Sequence, residues 1–205
     1  MPNFCSNLLT ITQHPGRLKA DAAAVIASLR GPNGPLDFET ILPIPVPLQD
    51  IHRGGQHIAG EYHTHWRNEP LHGGRVKWLP IPESELARYR KDYGADNPLM
   101  WCAHHWGTKW NADCHDFDWD RLSIRFDTAW NPPHAFVAAL SKVHPSFRFE
   151  LRFVEPDEGM NGCAVYARGE LQLSQSFSPN SEQGFTNGLL VRNTLAQSDE
   201  IPQTH

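Results

Sequence analysis

Cysteines and histidines that could bind a metal ion cluster near the middle of the chain. The four that could share one ion are Cys102, His104, Cys114 and His115. Thiolate and imidazole groups are ordinary zinc ligands. Their spacing matches none of the usual finger or ribbon arrangements. We therefore expect that the protein binds no metal or other cofactor. A zinc-stabilised module or a metal-dependent enzyme is the alternative interpretation.

Cys102 is also a candidate nucleophile for covalent catalysis, because histidines and Asp113 lie close to it in the sequence. Closeness in sequence is not the geometry of a nucleophile and its base. The chain contains no GxSxG, HExxH, Walker-type or GxGxxG pattern. We therefore expect no catalytic residue, and a buried thiol at Cys102.

Aromatic and basic side chains form the third candidate site, whose predicted binding residues are Trp106, Lys109, Trp110 and Trp130. With Arg125 they could stack bases, so single-stranded nucleic acid is an alternative partner. The other interpretation is packing, because tryptophan buries a large area. In that case the WGTKW loop covers the open sheet face, Gly107 permits a tight turn, and Thr108 and Asn111 bond to the backbone. The Lys109 stem would then lie across a ring.

Alternation and helical spacing predict the elements that position these residues. The expected strands are 7–12, 36–42, 122–130, 147–153 and 163–173, and the expected helices are 17–29, 83–93 and 132–143. Gly31 is expected to cap the first helix, and Asn131 to cap the helix that starts at the Asn-Pro-Pro sequence. Residues 43–82 show no sustained period, and a short strand at 189–191 is expected within a polar, poorly ordered tail.

Composition limits the class of protein. The chain has 205 residues, 40% of them hydrophobic, which is enough for one domain with a core. The net charge of −5 is unlike that of most proteins that bind nucleic acid through phosphates. No run of 18 apolar residues and no signal-like N-terminus is visible, so we expect a cytoplasmic protein with no membrane partner and with reduced cysteines.

Four ordered motifs resemble the YubB-like proteins, an uncharacterised family carried on bacterial plasmids and phages. The motifs are MPNFCSNL from Met1, WGTKWNA from Trp106, FDTAWNPP from Phe126 and EPDEGMNG from Glu155. The family has Trp at the position of Phe4, and the cysteines and histidines around residue 102 lie outside its pattern. The resemblance implies a ferredoxin-like domain and a mobile-element setting, without an established activity.

These observations together predict an α+β protein with a ferredoxin-like split βαβ fold. Its antiparallel sheet should carry two helices on one face and a large irregular insertion between the halves. The domain should span residues 1–173 with the insertion at 43–118, followed by a flexible tail at 174–205. The expected function is non-enzymatic binding of a host or mobile-element protein, in counter-defence or plasmid maintenance.

Overall fold

The structure, a computed structural model, describes residues 3–13 and 19–192. The strands are β1 (Phe4–Gln13), β2 (Ile51–Ile58), β3 (Glu61–Pro70), β4 (Val76–Pro80), β5 (Asp113–Asp118), β6 (Ser123–Ala129), β7 (Phe147–Glu155), β8 (Met160–Ala167) and β9 (Glu170–Ser176). The helices are α1 (Lys19–Ser28), α2 (Val46–Gln49), α3 (Glu83–Tyr93), α4 (Pro98–His105), α5 (His134–Val143) and α6 (Glu182–Arg192). None of the helices within these residues has the length and apolar character that crossing a membrane requires.

A six-stranded antiparallel sheet with the order β5-β6-β1-β7-β8-β9 organises the fold. Strand β1 pairs antiparallel with both β6 and β7, so these two strands run in the same direction on either side of it. Helix α5 connects them across the sheet, which is the split βαβ arrangement. The fold is ferredoxin-like α+β, as the sequence predicts.

The second half of the chain follows its sequence pattern closely. The strand, helix and strand expected at 122–130, 132–143 and 147–153 are β6, α5 and β7. Helix α3 also lies where it is expected, and Gly94 ends it in the left-handed conformation with φ of 74°. The predicted cap at Asn131 is wrong. Helix α5 has Pro133 at its N-cap without a side-chain bond, and the carbonyl of Trp106 accepts from Phe136 N–H instead.

The prediction of a strand at 36–42 is wrong, and so is the prediction that Gly31 caps the first helix. Residues Phe38–Thr40 form a 3-10 turn whose first N–H groups are bound by side chains, including that of Asp37. Gly31 is not among the residues with positive φ, and a Cβ at this position would collide with the Asp37 carboxylate. The glycine therefore allows close approach to a buried carboxylate rather than a left-handed helix end.

The insertion is not irregular. Strands β2, β3 and β4 form a separate three-stranded antiparallel sheet. A β-bulge between Arg53 and Gln56 interrupts the pairing of β2 with β3. The apolar residues of these strands do not alternate regularly with polar ones, which is why periodicity does not reveal them.

The two strands expected at 163–173 and 189–191 are also wrong. The single strand expected at 163–173 is the hairpin of β8 and β9, which turns at Arg168 and Gly169 with φ of 56° and 85°. The tail expected to be poorly ordered contains the end of β9 and helix α6, and the short strand expected at 189–191 lies inside α6. Residues 193–205 lie outside the described part of the chain.

Both faces of the main sheet are covered by helices. Helices α1 and α5 pack on one face, which we call the helix face, where Leu9, Phe126 and Leu151 belong to the large core. Helix α6 packs on the other face, the outer face, where Leu8, Val154 and Val191 form a small second core. The outer face is therefore partly closed by a third helix, whereas the sequence predicts two helices on one face of the sheet only.

Asn187 holds α6 against the outer face. Its side-chain amide donates to the carbonyls of Phe153 and Gly162 and to Asn161 Oδ1, and its oxygen accepts from Arg152. The side chain is almost completely buried. These bonds explain why a segment of polar residues is helical at this position.

Replacing Asn187 with alanine is expected to lower the free energy of unfolding by about 2 kcal/mol, because several buried polar groups lose their partner. Urea denaturation would measure this loss, and hydrogen exchange should show faster exchange in α6 first. Thr186→Ala, an exposed position on the same helix, should change stability by less than about 0.5 kcal/mol. Equal stability of the two variants would contradict this role for Asn187.

Candidate functional site

Trp106 is the most deeply buried member of the predicted binding set. It follows the last turn of α4 and is 1% exposed, with Nε1 donating to the carbonyl of Leu42 at 2.9 Å. Its indole packs edge-to-face against Phe38 and Trp101. Trp106 therefore belongs to the core on the helix face and does not cover the outer face. Its indole offers almost no exposed surface to a partner, which favours the packing interpretation over the predicted role as a binding anchor.

The residues after Trp106 support the packing interpretation of this loop. Gly107 has φ of 87° and lies so close to the first turn of α5 that a Cβ would crowd the backbone of Pro132 and His134. Thr108 donates to the carbonyl of Ala129 at 2.8 Å. Asn111 accepts from Phe38 N–H, so the predicted roles of all three loop residues are confirmed.

Lys109, Trp110 and Trp130 lie at the surface end of the same loop. Lys109 Nζ lies 5.0 Å from the ring centroid of Trp130, which confirms the predicted contact. Trp110 is 41% exposed. Arg125, which the stacking interpretation requires, lies instead on the outer face beside Val191. The structure does not bring this arginine and the tryptophans together on one surface.

The cysteines and histidines of the metal interpretation are divided between α4 and β5. Cys102 is buried on α4 and His104 on the same helix is exposed, whereas Cys114 and His115 lie on β5. Within residues 3–13 and 19–192, no group of three histidine, cysteine or acidic side chains is placed to hold a metal ion. The geometry of the described chain therefore offers no support for a zinc site.

The thiols are poorly suited to nucleophilic chemistry. All four cysteines are unpaired thiols. Burial raises the pKa of Cys102 to about 12 and that of Cys114 to about 11, so both remain protonated at neutral pH. His115 Nε2 lies 2.9 Å from Asp127 Oδ2, but no hydroxyl or thiol of the described residues hydrogen-bonds to this histidine. The pair therefore lacks the nucleophile of a catalytic triad.

An exposed aromatic surface lies on the three-stranded sheet, at residues that the sequence did not single out. Tyr62 on β3 is 62% exposed and Trp78 on β4 is 40% exposed. Trp66 lies between them, with its ring centroid 6.0 Å from that of His52 in a stacked arrangement and 6.3 Å from that of Trp78. We call this side of the sheet the aromatic face.

Two glycines in the bulge of β2 let the rings lie against the sheet. A Cβ at Gly54 would meet the Trp66 indole at 3.2 Å, and one at Gly55 would collide with Tyr62. Asn68 bonds to His52 at 3.0 Å and so orients the imidazole that stacks on Trp66. The rings are therefore held in place before any partner binds, which reduces the entropy lost on binding.

The opposite face of the small sheet is fixed to α3 and the loop after it. Arg67 donates to Glu85 at 2.7 Å and to Tyr89 at 2.8 Å, and His65 lies 3.4 Å from Asp96. Hydrogen bonds from Tyr89 and Arg67 lower the pKa of Glu85. Burial acts to raise the pKa of Asp96, but bonds from Arg90 and Asn97 outweigh it and lower that pKa. These contacts hold the sheet so that its aromatic face points away from α3.

The aromatic face carries no lysine, arginine, aspartate or glutamate. Residues paired across strands share a face and alternate residues lie on opposite faces. By that register the face consists of His52, His57, Tyr62, Thr64, Trp66, Asn68, Pro70, Val76, Trp78 and Pro80. The charged residues of the strands, such as Arg53 and Lys77, are on the other side. The face is thus aromatic and uncharged at its strand positions.

A sequence signal for this surface exists. Trp66 and Trp78 flank the sequence Leu71-His72-Gly73-Gly74-Arg75, and both glycines have positive φ, of 77° and 74°. A Gly-Gly pair between two tryptophan-containing segments is typical of a hairpin. The many prolines and histidines around the pair obscured it.

A family-model match supports the ferredoxin-like fold of the C-terminal half. Residues 105–196 match the family model of the ferredoxin-like domain in Api92-like protein, which is 92 of the 205 residues. A crystal structure of protein api92 from Yersinia pseudotuberculosis is similar at a TM-score of 0.43 and 13% identity, covering 88% of this chain and 100% of that chain. No curated protein matches the chain.

Proposed function

We propose that this protein is a binding module that captures another protein through the aromatic face of its three-stranded sheet. The observation that supports this most directly is the set of rings at Tyr62, Trp66 and Trp78, which are held in place, with Tyr62 and Trp78 exposed and Trp66 half-buried between them. Tryptophan and tyrosine are the residues that most often dominate the energy of protein interfaces. Aromatic surface of this kind on a folded protein marks an interaction site.

The lack of charge on the face favours a protein over a nucleic acid. Binding to single strands needs cations along the backbone of the nucleic acid as well as aromatic platforms for its bases. The arginines and lysine of these strands lie on the other side of the sheet, where Arg67 is paired with Glu85. We therefore expect the partner to present an apolar, uncharged surface, with binding that depends weakly on salt.

The edges of the small sheet are poor sites for adding a strand. Strand β2 carries the bulge and two glycines, and β4 is five residues long with Lys77 in it and Pro80 at its end. Bulges, lysine and proline are features that block edge pairing. The partner is accordingly expected to contact the rings of the aromatic face rather than to extend the sheet.

The expected partner is a host or mobile-element protein. This expectation follows from the resemblance of the four motifs to plasmid- and phage-borne proteins, and it would fit a role in counter-defence or plasmid maintenance. The aromatic face lies outside those motifs, within residues 51–80. It could therefore differ in specificity between proteins that share the ferredoxin-like domain.

Replacing Trp78 with alanine is expected to weaken partner binding at least about 30-fold, the loss of roughly 2 kcal/mol that marks a hot spot. Trp110→Ala is the matched control, because Trp110 is 41% exposed and Trp78 is 40% exposed, on different surfaces. The partner would first be captured from bacterial lysate with the wild-type chain, with and without nuclease, and identified by mass spectrometry. It would then be purified so that its Kd for each variant can be measured by calorimetry.

Loss of affinity in Trp78→Ala with wild-type affinity in Trp110→Ala would support the aromatic face. The reverse result would assign binding to the WGTKW loop and reject the proposal. Capture that disappears with nuclease, with a steep salt dependence, would indicate a nucleic acid instead. Light scattering adds a further test, since a dimer that Trp78→Ala dissociates would show that a second copy occupies the face.

A further inference from the structure

A cavity of about 630 Å³ opens on the helix face of the main sheet, beyond the start of α5. Gly107 and Pro132 form the wall beside α5, and Phe153 lies on the strand side. A Cβ at Gly162 would meet the Phe153 ring at 2.9 Å, so this glycine allows the ring to lie close to β8. Met160 and Phe177 also line it. The volume is within the range of small-molecule sites.

Among the described residues, the lining of this cavity contains no charged side chain. Its polar groups include Asn131, His134, Ser174 and Ser176, and two of its apolar residues, Phe153 and Phe177, are aromatic. Asn131, Ser174 and Ser176 are exposed to solvent, and their side chains make no hydrogen bond to another described residue. Unpartnered neutral donors and acceptors beside aromatic rings are suited to a ligand that is polar but uncharged.

His134 and Tyr166 form a hydrogen-bonded pair at one end of the cavity. His134 Nδ1 lies 2.8 Å from the Tyr166 hydroxyl, and the imidazole packs edge-to-face on Phe153 with centroids 5.1 Å apart. Burial lowers the pKa of His134 and raises that of Tyr166 to about 12, so both rings are neutral at pH 7. Because Nδ1 is bound by tyrosine, Nε2 is the nitrogen left for a ligand.

We propose that this cavity binds an uncharged planar heteroaromatic ring, with the phenylalanines against its faces and His134, Asn131 and the serines at its polar edge. Flat rings gain from offset or edge-to-face contact with phenylalanine. Neutral hydrogen-bonding groups favour such a ring over a plain hydrocarbon, because the edge of a hydrocarbon would leave them without hydrogen-bond partners. Because the described lining contains no lysine or arginine, a phosphate or carboxylate on the ligand would gain no ion pair there.

Adenosine and cytidine are suitable uncharged probes, with AMP as the charged counterpart of adenosine. Saturation-transfer NMR and calorimetry on the full chain would measure binding. Ser176→Phe should fill the cavity and weaken binding at least about tenfold. Gln175→Phe is the matched control, because adjacent residues of β9 point to opposite faces of the sheet. Circular dichroism would verify that both variants are folded.

Binding of either nucleoside that Ser176→Phe removes and Gln175→Phe retains would support the inference. AMP should then bind no more tightly than adenosine. Three results would overturn it. The first is no binding of either nucleoside at about 10 mM, a concentration that would nearly saturate a site with a Kd of about 1 mM. The others are binding unaffected by Ser176→Phe and a clear preference for AMP. None of these outcomes depends on the aromatic face, because the cavity and the small sheet share no residue.

Discussion

Replacing Trp106 with alanine is expected to lower the free energy of unfolding by about 4 kcal/mol. The indole is 1% exposed, contacts Phe38 and Trp101, and donates a hydrogen bond to the Leu42 carbonyl. Its removal leaves a cavity and an unpartnered carbonyl in the core. Chemical denaturation followed by circular dichroism would measure the loss, which is a large part of the stability of a typical domain.

Trp110→Ala is the control for this prediction, since Trp110 belongs to the same motif and is 41% exposed. It should change the free energy of unfolding by less than about 0.5 kcal/mol. If the two variants were equally stable, Trp106 would not be the core residue that the structure shows. The same pair separates a loss of fold from a loss of binding in capture experiments.

Asp37→Asn is expected to destabilise the protein by about 3 kcal/mol, because an amide replaces a buried carboxylate that accepts several hydrogen bonds. Asp37 is 0% exposed and accepts from the backbone N–H groups of Asn33 and Glu39 and from the Asn111 amide. Asparagine offers one acceptor oxygen, and its amino group would face these donors. Urea denaturation at pH 7 would measure the difference between the variant and the wild type.

The difference in the free energy of unfolding between the wild type and Asp37→Asn should depend on pH. Burial acts to raise the pKa of Asp37, but hydrogen bonds from Asn111, Asn33 and Glu39 outweigh it and lower that pKa. A lowered pKa in the folded state adds stability above the unfolded value of about 4, and this stability is lost as the pH falls through the folded pKa. The difference in the free energy of unfolding should therefore be constant between about pH 6 and 8 and become smaller below about pH 4. A gap that widens on acidification would contradict this assignment.

The parts of the fold that were predicted correctly are those where local pattern and tertiary environment agree. In β6 and β7 the residues on the helix face, including Phe126 and Leu151, belong to the large core and alternate with mostly polar residues on the outer face. Helix α3 has one buried side and a glycine at its end. Residues 36–42 show similar alternation, but the N–H of Phe38 is bound by the side chain of Asn111, 73 positions away. Contacts of that range leave no trace in a local pattern.

The candidate sites were predictable to a smaller extent. The loop after Trp106 could be interpreted as a packing element because glycine, threonine and asparagine have well-defined roles in turns. The aromatic face was harder to recognise, since its only sequence signal is the Gly-Gly pair between β3 and β4, and the bulge in β2 interrupts the alternation that would reveal the first strand. Helix α6 was missed for a related reason, because its position depends on the bonds of Asn187 rather than on an apolar stripe.

The central position of β1 affects the order in which the chain can fold during synthesis. Both neighbours of β1 in the sheet are more than 110 residues further along the chain, with Phe4 paired to Ala129 and Gln13 to Phe147. Pairings of such long range form slowly. The first strand therefore remains without its partners on the ribosome until most of the polypeptide has emerged. A fragment limited to residues 105–196 would lack β1, the strand that lies between β6 and β7. The facing edges of these two strands would then be unpaired, which favours aggregation.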